Sequence, residues 1–204
     1  MSVSRETRAR LGIFEREFRR WNARTNLSSR FQPGDLIERH IEDSLQLAPL
    51  APPSGDWIDV GTGGGFPGAI LAALFAENGR PITLVESHAK KAAFLRSVCL
   101  AMDAPARVVN ERVERLVERE PAPRVVSARA VAPLERLVSL LSRWLRDPGT
   151  LGIFPKGRDA EAEIDAAARE WDFDVERHPS RTASDATILV VSSVRPKNGR
   201  DFLE

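Results

Sequence analysis

Trp57-Ile58-Asp59-Val60-Gly61-Thr62-Gly63-Gly64-Gly65-Phe66-Pro67-Gly68 runs from a short, mostly apolar strand into a turn with five glycines in eight residues, and then into the apolar helix that begins near Pro67. Glu86, 25 residues after Gly61, closes the next predicted strand. A strand, a glycine turn and a helix, followed by an acid at the end of the second strand, lay a nucleoside cofactor over the carboxyl edge of a parallel sheet. Five glycines in so short a stretch cost backbone entropy, which argues against a turn of purely structural use.

Two cofactor classes compete for this turn. In a dinucleotide fold the third glycine of G-x-G-x-x-G packs helix against strand, and free N–H groups at the helix start hold a pyrophosphate. Here Phe66 stands at that third position, and Pro67, at the predicted first helical position, has no N–H to offer. S-adenosylmethionine carries no phosphate. It needs close backbone approach at Gly61, Gly63 and Gly65 and a carboxylate for its ribose hydroxyls, so the residues favour it over a nicotinamide or flavin dinucleotide. Glu86 is placed to accept the ribose hydroxyls; otherwise it is a surface acid at a strand end. Asp59 either bridges the glycine turn or orients the amino group of the cofactor's methionine moiety.

Outward from the turn, predicted strands and helices alternate. Strands are expected near residues 56–60, 81–86, 106–110, 124–128 and 149–154, with helices near 67–78, 88–103, 112–119, 133–146 and 157–171. Two further strands, near 173–178 and 187–195, follow without a convincing helix between them. Five βα units and a terminal strand pair imply an α/β fold: a mostly parallel seven-stranded, Rossmann-like sheet with one antiparallel strand, of the S-adenosylmethionine-dependent methyltransferase type. Upstream, Leu11, Phe14, Phe18 and Trp21 recur at helical spacing in an amphipathic helix over 4–21, and a second helix over 33–48 is opened by Pro33 and Gly34. The expected organisation is a helical extension over 1–53 packed on the core, a cofactor-binding domain over 54–196, and a loose tail over 197–204.

The chain has 204 residues, 42% of them hydrophobic and 29% charged, as in a globular protein with one full core. No apolar run reaches the roughly 18 residues of a membrane span, and the first residues lack an apolar signal core, so the expected location is the cytoplasm. The one cysteine, Cys99, lies mid-helix and excludes an internal disulfide. His40 and Asp43 share a helix face, but with three histidines in all and no third ligand nearby, no metal is expected. Net charge is +1, yet residues 1–30 carry eight arginines against three acids, a net of +5, leaving −4 for the rest. An arginine-rich face is either a solvated helix surface or a phosphate-binding one, with Arg16, Arg19 and Arg20 as candidates for RNA.

Asn26-Leu27-Ser28, His40-Ile41-Glu42-Asp43-Ser44, the glycine turn and Ser127-Ala128-Arg129-Ala130, in that order, resemble the glucose-inhibited division protein B family, the small-subunit ribosomal RNA methyltransferases G. Ser28, Gly64 and Phe66 are small departures from the family pattern. The resemblance implies methyl transfer from S-adenosyl-L-methionine to N7 of one guanosine in 16S ribosomal RNA, either naked or in the small ribosomal subunit; separately, the chain is expected to act as a monomer. The resemblance also implies that Val113 and Glu114 cradle the adenine; Phe66, in the turn itself, is a further expected cofactor contact. The resemblance places Arg129 beside cofactor and reacting base, and has His40 and Asp43 closing the pocket. Lys156, after the fifth strand, is a further candidate for RNA phosphate. Guanine N7 has a lone pair and no proton, so the reaction needs no general base.

Overall fold

The computed structural model describes residues 3–25, 27 and 37–197. Two helices, α1 (Arg5–Thr25) and α2 (Ile37–Leu45), precede the sheet. Then follow β1 (Trp57–Val60), α3 (Gly68–Phe75), β2 (Ile82–Val85), α4 (Ala89–Ala101), β3 (Arg107–Val109), α5 (Val113–Arg119), β4 (Val125–Ala128), α6 (Leu134–Leu145), β5 (Leu151–Lys156), α7 (Ala160–Ala167), β6 (Trp171–Pro179) and β7 (Thr187–Pro196).

The seven strands form one sheet in the order β3-β2-β1-β4-β5-β7-β6. β1 to β5 pair in parallel, and β7 runs antiparallel between β5 and β6, as the alternation of elements predicts. All four residues of β1 are buried, the pattern of a central parallel strand covered on both faces. Alternation along the strands feeds two apolar layers. Trp57 and Leu84 pack with α1, α3 and α4 on one face, while Ile58, Val60 and Val85 pack with α5, α6 and α7 on the other.

The N-terminal stripe behaves as its spacing demands. Leu11, Phe14 and Phe18 are buried, Trp21 is half-buried against Phe94, and α1 rests on α3 and α4. Phe14 and Phe18 also meet the Phe66 ring, with centroids 5.2 and 5.5 Å apart, so the helix presses on the back of the glycine turn.

Three of the element ends that differ from expectation bear on the site or on the sheet edge. Pro67 is the N-cap of α3 and Gly68 its first residue. The last helix is short because Trp171 joins β6, where it is buried and pairs with Pro196. β5 runs on through Pro155 and Lys156: its pairing with β4 ends at Ile153, and β7 carries the strand further. The expected opening of the second helix at Pro33 and Gly34, together with Asn26 and Ser28, lies outside the described residues. So does the tail after Lys197, whose own backbone N–H bonds the Glu170 carbonyl at 2.9 Å. Among the described residues no helix is long and apolar enough to cross a membrane.

Candidate active site

The glycine turn leaves β1 at the centre of the sheet's carboxyl edge. Gly61, with φ +65°, sits in the left-handed region that glycine adopts freely. A Cβ there would also lie 2.6 Å from Val131 Cγ2, so Val131 stands directly on the turn. At Gly68 a Cβ would come within 2.5 Å of Asp59 Oδ2 and 2.6 Å of Leu84. Gly68, and not the third position of the turn, is thus where helix and strand meet closely, which frees Phe66 to turn outward onto α1.

The start of α3 is closed to phosphate. Pro67 has no N–H, the Gly68 N–H is held by Asp59 Oδ2 at 3.0 Å, and that of Ala69 by the Gly65 carbonyl at 2.9 Å. These are the donors a pyrophosphate would need.

The two acids of the turn have different surroundings. Glu86 Oε2 accepts the Gly63 N–H at 2.9 Å and Oε1 accepts that of His88 at 2.7 Å, clamping the turn to the end of β2. A carboxylate offers about four lone-pair sites, so acceptor capacity for ribose hydroxyls remains. Asp59 is fully buried. Its Oδ1 accepts from Ser127 Oγ at 2.6 Å, and Ser127 Oγ in turn accepts from Trp57 Nε1 at 2.8 Å. Burial pushes the Asp59 carboxyl up to about 6, against the pull of its hydrogen bonds and of the Arg129 charge. Of its two expected roles, direct contact with the cofactor is therefore corrected: Asp59 has no surface to offer and braces the turn from behind.

Two cavities open on this edge. The smaller, about 210 Å³, is lined by Gly61, Val85, Ser87, Val113, Glu114 and Val131 among others. Valines and Leu140 share its walls with the charged side chains of Glu111, Arg112, Glu114 and Arg136, and it lies below the roughly 300–1,000 Å³ of a complete small-molecule site. A nucleoside cofactor there has to extend along the turn past Glu86. A carboxylate at the turn and the occupied N–H groups of Gly68 and Ala69 fit S-adenosylmethionine better than a dinucleotide.

The larger cavity, about 980 Å³, lies on the other side of Val131 and Ala132. Arg129 is at its back, with side-chain exposure of 22%. Its guanidinium donates to His40 Nδ1, lies 3.7 Å from Asp43 Oδ2, and sits over the Phe66 ring at 5.9 Å. Asp43 also accepts from Thr182 Oγ1. Gln46 donates to Ser180 Oγ at 3.2 Å and accepts the Arg181 N–H at 2.9 Å, fastening α2 to the loop between β6 and β7. His40 and Asp43 thus do bring α2 to the site, through Arg129.

Lys156 departs from expectation. Its ammonium bonds the Ala132 carbonyl at 2.9 Å and Glu163 Oε2 at 2.7 Å, and its side chain is only 7% exposed. Its ammonium is taken up by these two partners in the wall of the larger cavity, which Lys156 and Glu163 both line. Arg16, Arg19 and Arg20 are exposed on α1, Arg19 paired with Glu15 at 2.8 Å and Arg20 with Glu17 at 2.6 Å. Cys99 is buried, and burial pushes its thiol up to about 12. No three metal-ligating side chains gather among the described residues.

Sequence reasoning gave no role of their own to Ser127, Val131 and Glu163. Ser127 had a signal, a small polar residue on an otherwise apolar strand next to β1. The other two had none, because both act through contacts between distant segments.

A family model described as rRNA small subunit methyltransferase G, GidB, matches residues 8–188. The ribosomal RNA small subunit methyltransferase G of Brucella ovis is 47% identical over 197 residues, 96% of this chain and 92% of that protein. That of Brucella suis biovar 1 is 47% identical over the same shares. Among solved structures, a point mutant of MtNAS in complex with S-adenosylmethionine superposes with a TM-score of 0.61 at 16% identity, covering 89% of this chain and 72% of that one. A putative O-methyltransferase from Klebsiella pneumoniae gives 0.59 at 14% identity, covering 87% and 88%. At these identities the structures show a shared fold. The match over nearly the whole chain shows more: the chain belongs to the GidB family, rRNA small subunit methyltransferase G.

Proposed function

We propose that the chain transfers a methyl group from S-adenosylmethionine to N7 of one guanosine in 16S ribosomal RNA, acting as a monomer. The observation that carries this reading is the pairing of two cavities across one glycine turn. The small recess beside Val113 and Glu114 receives the adenine, Glu86 and the turn receive the ribose, and the large cavity in front of Arg129 receives the target base. One chain supplies every residue of this arrangement, with α1 and α2 of residues 1–53 backing the turn and closing the site from one side.

Bound S-adenosylmethionine supplies an electrophilic methyl on a sulfonium. Guanine N7 attacks with its own lone pair and releases no proton, so the chain has no base to provide. Arg129 is engaged by His40 and Asp43 and stacked on Phe66, an arrangement that fixes direction and leaves the His40 Nδ1 occupied. Its role is to position the base. Holding two reactants in attack geometry supplies about 7–11 kcal/mol of the barrier. The ring becomes cationic as the methyl arrives, so the neighbouring Asp43 carboxylate keeps Arg129 from opposing that charge.

RNA presents such a base from an unpaired loop, with basic side chains on the backbone. Arg16, Arg19 and Arg20 are the proposed contacts. Methylation of 16S transcripts made with guanosine or with 7-deazaguanosine, each assembled into small subunits, tests the reading. The first accepts label from methyl-labelled S-adenosylmethionine and the second, lacking N7, accepts none. Equal labelling of both overturns it.

A further inference from the structure

The segment Arg129–Pro133 divides the two cavities. Val131 and Ala132 line both, and Val131 rests against the glycine turn at Gly61. Ala130 has φ +56°, a conformation that a residue with a Cβ adopts only when its surroundings enforce it. The upstream end is enforced by Arg129, through His40 and Asp43.

The downstream end is enforced by one ion pair. Lys156 Nζ donates to the Ala132 carbonyl at 2.9 Å and to Glu163 Oε2 at 2.7 Å. The same Glu163 oxygen accepts the Leu134 N–H at 2.7 Å, an amide at the start of α6 with no helical partner of its own. Pro133, between the two, has no N–H and a fixed φ. A lysine from the end of β5 and a glutamate from α7 thus pin the backbone on both sides of Pro133. With Lys156 at 7% side-chain exposure, water competes poorly for these bonds.

We infer that Lys156, through its pair with Glu163, is a positioning residue for methyl transfer, holding the Ala130–Ala132 wall at the distance from the glycine turn that aligns base and cofactor. This inference rests on the proposed methyl transfer for its kinetic part. The competing role, contact with an RNA phosphate, makes opposite forecasts.

Lys156→Met and Glu163→Gln, each compared with the unaltered protein, separate the two. A positioning role lowers kcat by about 100-fold at saturating RNA and cofactor in Lys156→Met, the scale of a wall misplaced by roughly 1 Å. RNA affinity and its salt dependence stay unchanged. Glu163→Gln, which weakens the clamp while freeing the ammonium, also lowers kcat. A phosphate contact instead makes Lys156→Met weaken RNA binding with a salt slope smaller by about one, leaves its kcat intact, and makes Glu163→Gln bind RNA more tightly.

Amide hydrogen exchange supplies the readout that needs no substrate. Exchange over residues 130–134 accelerates by roughly tenfold in Lys156→Met, with the sheet unaffected. Unchanged exchange there, or the phosphate-contact kinetics, overturns the inference. If Lys156→Met does not fold, Glu163→Gln carries both readouts. Absence of methyl transfer by the unaltered protein defeats the proposed function and leaves the exchange result to decide the clamp.

Discussion

Glu86 holds Gly63: its Oε2 accepts the glycine N–H at 2.9 Å, while Oε1 accepts the His88 N–H at 2.7 Å. One carboxylate therefore sets the shape of the turn and, in the proposed complex, the ribose position as well. Glu86→Ala is expected to raise the S-adenosylmethionine dissociation constant by about 10- to 100-fold, the equivalent of one charge-assisted hydrogen bond of roughly 1.5–3 kcal/mol. Calorimetric titration checks this. An unchanged constant would move the ribose contact elsewhere.

Arg129 is fixed by a histidine, a carboxylate and a ring at once. Arg129→Ala should reduce kcat by about 100-fold without lowering the midpoint of thermal unfolding by more than a few degrees. Arg129→Lys should not restore it, because a point charge reproduces neither the planar fork nor the stacking. Single-turnover methyl transfer measures both, and near-native turnover in either variant contradicts the positioning role.

Asp59 gives the fold a pH dependence. Its carboxyl titrates near 6 in the folded chain, above the ordinary 3.8, so the folded state holds the proton more tightly. The stabilisation this confers is complete below about pH 4 and is lost as pH rises through 6, by on the order of 3 kcal/mol. Urea unfolding of the unaltered protein and of Asp59→Asn between pH 4 and 7 reads it as a difference, in which the other titrating groups largely cancel. The advantage of the unaltered chain should shrink as pH rises, and a flat difference would contradict the assignment.

The exposed arginines of α1 carry a separate expectation. Reversing Arg16 and Arg19 together should weaken binding of 16S RNA and reduce its salt slope by about two, while stability changes by no more than about 0.5 kcal/mol. Filter binding at several salt concentrations decides it. Unaltered affinity would mean that Arg19, already paired with Glu15, belongs to a solvated face only.

Local signals in the sequence were enough for the turn, its acid and the alternation of strands and helices. Phe66 followed by Pro67 was enough to argue against a pyrophosphate, and the occupied N–H groups of Gly68 and Ala69 now give that argument its geometry. Asp59 was legible as a turn residue but its depth was not, because the partner that buries it, Ser127, arrives on β4. Lys156 shows the same limit. Its place on the carboxyl edge could be read from the strand order, whereas what its ammonium meets depends on Ala132 and Glu163. The residues that divide the two cavities, Val131 and Ala132, are small and apolar and carry no mark of their position.

Delivery of a methyl by this site to guanosine N7 in small-subunit RNA is the proposed activity. It is tested most directly by incubating the protein with methyl-labelled S-adenosylmethionine and small ribosomal subunits lacking N7-methylguanosine, then digesting the RNA and identifying the labelled nucleoside by mass. The expected product is 7-methylguanosine from a single site in 16S RNA. Label on another atom or another base, or no transfer by protein that binds the cofactor, would contradict it.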